Sequence, residues 1–140
     1  MSDDSYLSGK IIPGTSVGKF KLGWTMDQVI HEATFKYFVN ISDWESKSHS
    51  IEADSIKFFF DYKTKEIVQI TVFDQYKGSF LNSIRIGTIL SEIKDPISYE
   101  FINGDNDCGI EFPDFKGIIV HTQKWDDDTP IKFISIIKQI

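Results

Sequence analysis

Lys19-Phe20-Lys21-Leu22-Gly23-Trp24-Thr25-Met26-Asp27-Gln28-Val29 aligns with Ser83-Ile84-Arg85-Ile86-Gly87-Thr88-Ile89-Leu90-Ser91-Glu92-Ile93, which lies 64 residues further on. At the same offset, Glu66-Ile67-Val68-Gln69-Ile70-Thr71-Val72-Phe73-Asp74-Gln75 aligns with Pro130-Ile131-Lys132-Phe133-Ile134-Ser135-Ile136-Ile137-Lys138-Gln139. Only Gly23/Gly87, Ile67/Ile131, Ile70/Ile134 and Gln75/Gln139 are identical, yet apolar positions fall on apolar ones nearly throughout. An internal repeat decides architecture ahead of any motif. The spacing predicts two units, one over about residues 11–75 and the other over about 79–140. They would share one compact domain spanning 1–140.

Each unit reads as one helix followed by three or four antiparallel strands. In the first, Ile12-Pro13-Gly14 turns the chain into a short extended segment, Lys19 to Leu22. Thr25 and Gln28 have the spacing of a capping box. Met26, Val29, Ile30 and Ala33 continue with helical apolar spacing to about Phe35. Tyr37 to Trp44 alternates as a strand, and Ser46 to Ser50 reads as a polar loop. Ile56 to Tyr62 and Ile67 to Phe73 form a hairpin. In the second unit Thr88 would cap a helix carrying Ile89, Leu90 and Ile93, which Pro96 would end. Ser98 to Ile102 and Gly109 to Phe112 follow as strands, and Gly117 to Gln123 with Ile131 to Ile137 closes the chain as a hairpin. Neither unit can bury both its helix and its sheet alone. The expected fold class is therefore α+β: two tandem helix-plus-antiparallel-sheet repeats, with both helices on one face of the sheet.

Composition narrows the function. The 140 residues are 41% apolar, with twelve Phe, enough for a core without metals or disulfides. No apolar run is long enough to span a bilayer, and the acidic start Met1-Ser2-Asp3-Asp4-Ser5 lacks the features of a secretory signal. With a lone cysteine, Cys108, this points to a cytoplasmic protein. The net charge is −6, and residues 98–140 contribute −4 of it, eight acids against four lysines. Arg85 is the only arginine. Such a chain is poorly suited to nucleic acid, where arginine forks dominate. It is suited to a basic protein partner, which opposite charge steers.

Enzymatic motifs are missing. The three histidines have no metal-ligand spacing, and Asp105-Asn106-Asp107-Cys108-Gly109 fails a calcium loop at the positions that require Gly and Glu. Asn103 to Asp107 reads instead as turn chemistry. Cys108 is flanked by acids that oppose thiolate formation. No nucleophile elbow, phosphate loop or dinucleotide glycine pattern is present. The expectation is a non-enzyme without cofactor or metal. The most unusual local feature is Trp125-Asp126-Asp127-Asp128, three adjacent carboxylates beside an aromatic of the type that anchors interfaces. The matching loop of the first unit is only Lys63 to Glu66. Asp43-Trp44-Glu45 is a second aromatic-acidic cluster. These seven residues are the candidate partner-binding site, although a solvated turn explains the acidic loop equally well.

The stretch Ile12-Pro13-Gly14-Thr15-Ser16-Val17-Gly18-Lys19-Phe20-Lys21-Leu22-Gly23-Trp24-Thr25-Met26-Asp27-Gln28-Val29 resembles the opening of small bacterial immunity proteins of contact-dependent and polymorphic toxin systems. The tandem layout is similar to that of beta-lactamase-inhibitor-like domains. The resemblance implies a protein that binds a cognate toxin domain, often a nuclease, and covers its active site. The alternative is a non-enzymatic module for a small ligand or peptide.

Overall fold

Along Ile56–Asp61, and from Gln69 to Phe73, alternate side chains are fully buried and half-buried, the period-two signature of strands with one face on a core. A computed structural model of the chain describes residues 5–41, 48–94, 97–103, 108–124 and 126–139. A 3₁₀ turn at Ser5–Leu7 leads into three short strands, β1 (Ile11–Ile12), β2 (Ser16–Val17) and β3 (Phe20–Lys21), and then α1 (Met26–Glu32). The chain continues through β4 (Tyr37–Ile41), β5 (Ser48–Ala53), β6 (Ile56–Asp61) and β7 (Ile67–Phe73). After a second 3₁₀ turn, Leu90–Glu92, come β8 (Glu100–Asn103), β9 (Cys108–Phe112), β10 (Phe115–Thr122) and β11 (Ile131–Ile137). Strands β1 to β3 form a small antiparallel sheet. The other eight form one antiparallel sheet in the order β4-β5-β6-β7-β11-β10-β9-β8.

One face of the large sheet carries Ile51, Phe58, Ile70, Val72, Ile134, Ile136, Val120 and Ile110, all buried. Leu7, Ile11, Val17, Phe20, Val29, Phe80, Ile84 and Leu90 complete the same core from the layer above. Hydrogen bonds recur across this core at a spacing of 64 residues. Gly23 N donates to Ile67 O at 2.9 Å and Gly87 N to Ile131 O at 2.8 Å. Ile67 N returns to Trp24 O, and Ile131 N to Thr88 O. Gly23 and Gly87 both sit at φ +92°, a left-handed conformation that favours glycine and explains their identity. Thr71 pairs with Ser135, its own counterpart at that offset, so a local two-fold axis runs through the β7–β11 ladder.

The expected class, two helix-plus-sheet repeats, is overturned: the fold is β-rich, and among the described residues there is a single α-helix, of seven residues. The first helix forms because Thr25 accepts from the Gln28 amide and the Gln28 side chain accepts from the Thr25 amide. In the second unit the cap is diverted. Thr88 Oγ1 accepts from Arg85 N at 3.0 Å and donates to Ser83 O, and Ile89 is extended at φ −103° and ψ 113°. With Pro96 in the sequence so close behind and β-branched Ile89 and Ile93 flanking the segment, only a 3₁₀ turn remains. Ser48 to Ser50, expected as loop, instead begin β5, where Ser50 pairs with Phe59 and Ile51 with Phe58. Cross-strand packing overrides a polar local sequence there.

The amino-terminal segment is strapped to both halves. Ile11 N donates to Ser79 O, Lys77 N to Leu7 O, and Gly14 N to Gly117 O. Tyr76 donates its hydroxyl to Gly9 O at 2.6 Å, and burial holds its phenol well above the ordinary value of 10.0. In the unfolded chain this phenol titrates near its ordinary value. Stability from burying the neutral ring is thus complete below about pH 10 and is lost as the pH rises beyond it. Tyr76→Phe should cost about 1–2 kcal/mol at neutral pH through the lost hydrogen bond. It should also flatten the alkaline fall, and urea melts at neutral pH and above pH 10 check both.

Candidate protein-binding surface

Antiparallel sheets with one solvated face usually carry polar side chains there. The register gives a mixed result, polar side chains interleaved with phenylalanines, on the face of the large sheet that points away from the core. Phe38, Glu52, Lys57, Thr71, Ser135, Ile119, Glu111 and Glu100 are successive cross-strand neighbours along one row. Phe59, Gln69 and Ile137 form a second row, and Phe73, Phe133 and His121 a third. Among the described residues the large side chains of this face are half-buried or exposed, and Phe38 is 74% exposed. Phe38, Phe59, Phe73 and Phe133 therefore stand among polar and charged neighbours on an open face, and exposed apolar area of this kind marks interaction surfaces.

Its centre is polar and self-satisfied. Thr71 Oγ1 and Ser135 Oγ share a hydrogen bond of 2.8 Å, and Gln69 Nε2 donates to Thr71 Oγ1 at 3.0 Å. The Phe73 and Phe133 rings lie 5.9 Å apart beside this centre, with His121 6.4 Å from Phe133. Lys57 stands 4.9 Å over the Phe59 ring and 3.4 Å from the Glu52 carboxylate. Lys132 stands 5.4 Å over Phe133. Both lysines therefore have local partners. Glu100 and Glu111 do not. They are directly opposed on β8 and β9, both exposed, and neither is in an ion pair among the described residues. Like charges facing across strands are destabilising until a cation approaches.

The acidic loop has a different setting. Asp126 Oδ1 accepts from the Asp128 amide at 3.0 Å and from Thr129 Oγ1 at 2.9 Å. Asp127 Oδ2 accepts from the Tyr99 hydroxyl at 2.8 Å, and Asp127 O from Ser91 N at 2.9 Å. That hydrogen bond raises the Tyr99 phenol, with burial and the charges of Asp127 and Asp128 adding to it. Two of the three carboxylates thus fasten the loop to itself and to the layer over the core, and only Asp128 is exposed. The structure does not bring this loop onto the open face. Trp125, Asp43, Trp44 and Glu45 lie outside the described residues, as does most of the Asn103–Asp107 turn.

Sequence reading located the central strands but missed this face. The signal was present in Phe58-Phe59-Phe60 and in Phe73 and Phe133: runs where the outward position is as apolar as the inward one. Among the described residues no group of His, Cys, Asp and Glu could hold a metal ion. None of their helices is long and apolar enough to cross a membrane. The principal depressions are open to solvent; the one at a corner of the open face, about 410 Å³, is bordered by Glu111, Ile119, Ile137 and Gln139. No family model matches the chain, nor does any curated protein or solved structure.

Proposed function

We propose that this chain is a cytoplasmic immunity protein that binds a basic toxin domain and covers its active site with the open face of its large sheet. The observation that carries the reading is that face itself: four phenylalanines set among polar and charged side chains on an exposed sheet face, in a fold with a well-filled core on the other side. Phe59, Phe73 and Phe133 supply contact area that is lost from water on binding, the usual source of interface energy. Glu100 and Glu111 add a repulsive pair that a lysine or arginine of the partner relieves, and the net charge of −6 steers a basic partner toward the chain. No chemistry on the protein is required, because occlusion alone inhibits. The resemblance of residues 12–29 to immunity proteins points the same way. Asp128 at the exposed tip of the acidic loop is a secondary contact.

The test is co-expression with the carboxy-terminal domain encoded immediately upstream, scoring growth and co-purification. Rescue and a stable complex are expected, with affinity falling as salt rises. Phe133→Ala should weaken the complex by about 2 kcal/mol, roughly thirtyfold, as a central aromatic anchor does. Asp128→Ala should cost less than about 1 kcal/mol. Killing that the chain does not relieve, or a complex indifferent to Phe133 but abolished by Asp128→Ala, overturns the assignment of the open face.

A further inference from the structure

Phe80 O accepts from Ser83 N, and Phe80 N donates to Ile84 O at 2.8 Å, closing a tight turn with Leu81 and Asn82 at its centre. Both central residues are left-handed, at φ +55° and +61°. Asparagine is at home in that conformation; leucine is not. Leu81 is also 50% exposed, so burial does not offset the strain. A strained, exposed apolar residue at a position suited to Asn or Gly points to a role outside folding.

Across from it lies Ile12, itself 47% exposed. Between them runs a groove of about 480 Å³ lined by Lys10, Ile12, Pro13, Leu81, Phe115 and Lys116, among others. Among the described residues no carboxylate lines it, although the chain as a whole is acidic. Arg85, the sole arginine, is exposed at the foot of the turn, donating to Asn82 O at 3.3 Å. None of these three bases is in an ion pair among the described residues. On the far side of the Leu81–Phe115 ridge the adjoining groove is lined by Asp114 instead, so the basic character is local.

From this charge complementarity we propose that the groove binds an extended acidic segment of another protein, seating an apolar side chain between Ile12 and Leu81 and setting flanking carboxylates against Lys10 and Lys116. The groove touches the depression at the corner of the open sheet face only at Phe115 and Lys116 and selects the opposite charge, so its partner is distinct from the basic toxin domain. An apolar floor with a charged rim supplies affinity from the first and orientation from the second.

The probe is a capped pentapeptide alternating glutamate and leucine, titrated into the full chain while backbone amide shifts are followed by NMR. The control alternates lysine and leucine. The glutamate peptide is expected to shift the amides of Ile12, Leu81, Asn82 and Lys116, saturably and less at high salt. The lysine peptide should bind at least about tenfold more weakly. Leu81→Asn should melt about 2–4 °C higher, because the turn is relieved, and bind at least about tenfold more weakly. The pair Lys10→Glu and Lys116→Glu should reverse the peptide preference. No shift in the groove, equal response to both peptides, or a lower melting temperature for Leu81→Asn overturns the proposal.

Discussion

Gly78→Ala should lower stability by about 3 kcal/mol, near the upper end of what overpacking costs. The reason is a crossing of backbones. A Cβ at residue 78 would sit 1.9 Å from Gly9 O and 2.9 Å from Gly9 C, with the Tyr76 ring at 2.6 Å. Gly9 is itself wedged against Gly18, whose Cα would be 2.3 Å from a Cβ at residue 9. No flexible side-chain end is available to give way to Gly9, so the amino-terminal strap must lift, breaking the Lys77 and Gly78 amide bonds to Leu7 O. Gly87→Ala is the control. Nothing lies within 4 Å of its added Cβ, so only the left-handed φ of +92° resists, at about 1–2 kcal/mol. For a domain of this size the first variant should melt roughly 10 °C lower and the second about half as much or less. Equal melting temperatures would contradict the close approach.

Phe20→Ala should cost about 3–5 kcal/mol, the range for removing a buried ring from a packed core. Phe20 is fully buried and is the hub of the first half. Its ring centroid lies 4.8 Å from Phe58, 5.9 Å from Phe35 and 6.0 Å from Trp24, and Phe35 continues to Tyr6 at 4.3 Å. These rings come from the amino-terminal turn, β3, the flanks of α1, and β6, so one truncation loosens every element over that half of the sheet. Phe20→Leu, which keeps most of the volume, should cost under about 1.5 kcal/mol. Urea titration separates the two; an unchanged slope with a shifted midpoint marks a stability effect alone. The counterpart position in the second half holds Ile84, and the aromatic grouping there moves to Phe80, Phe112 and Phe115. Ile84→Phe would therefore not recreate the hub.

The sequence made the hairpins legible because their pattern is local. Residues expected at 56–62 and 67–73 are observed at Ile56–Asp61 and Ile67–Phe73, and the closing hairpin is displaced by at most two residues. The capping box at Thr25 and Gln28 was legible for the same reason. The second helix was misread because Thr88, one residue before the position aligned with Thr25, suggests a similar cap, while the decision is made by its bonds to Arg85 and Ser83, which no spacing announces. The first residues of β5 were misread because Ser48, His49 and Ser50 take their structure from β6. The candidate site was only partly legible. Three adjacent aspartates suggest exposed charge, yet Tyr99 and Thr129 engage two of them from elsewhere in the chain. The open face could be inferred only by asking which way each Phe points, and that requires strand register.

The β7–β11 ladder differs in kind from its neighbours. Every other adjacency in the large sheet joins strands consecutive in the chain, so each half can assemble as a stack of hairpins with short loop closures. The central ladder alone joins residues 60 to 68 apart, centred on Thr71 and Ser135, and it does so across a two-fold axis. A chain of one half would expose β7 or β11 as a bare edge whose best complement is another copy of itself. The two four-stranded halves thus meet as the subunits of a symmetric dimer would, and the strap from Leu7 to Gly14, bonded to Lys77, Ser79 and Gly117, makes that union intramolecular.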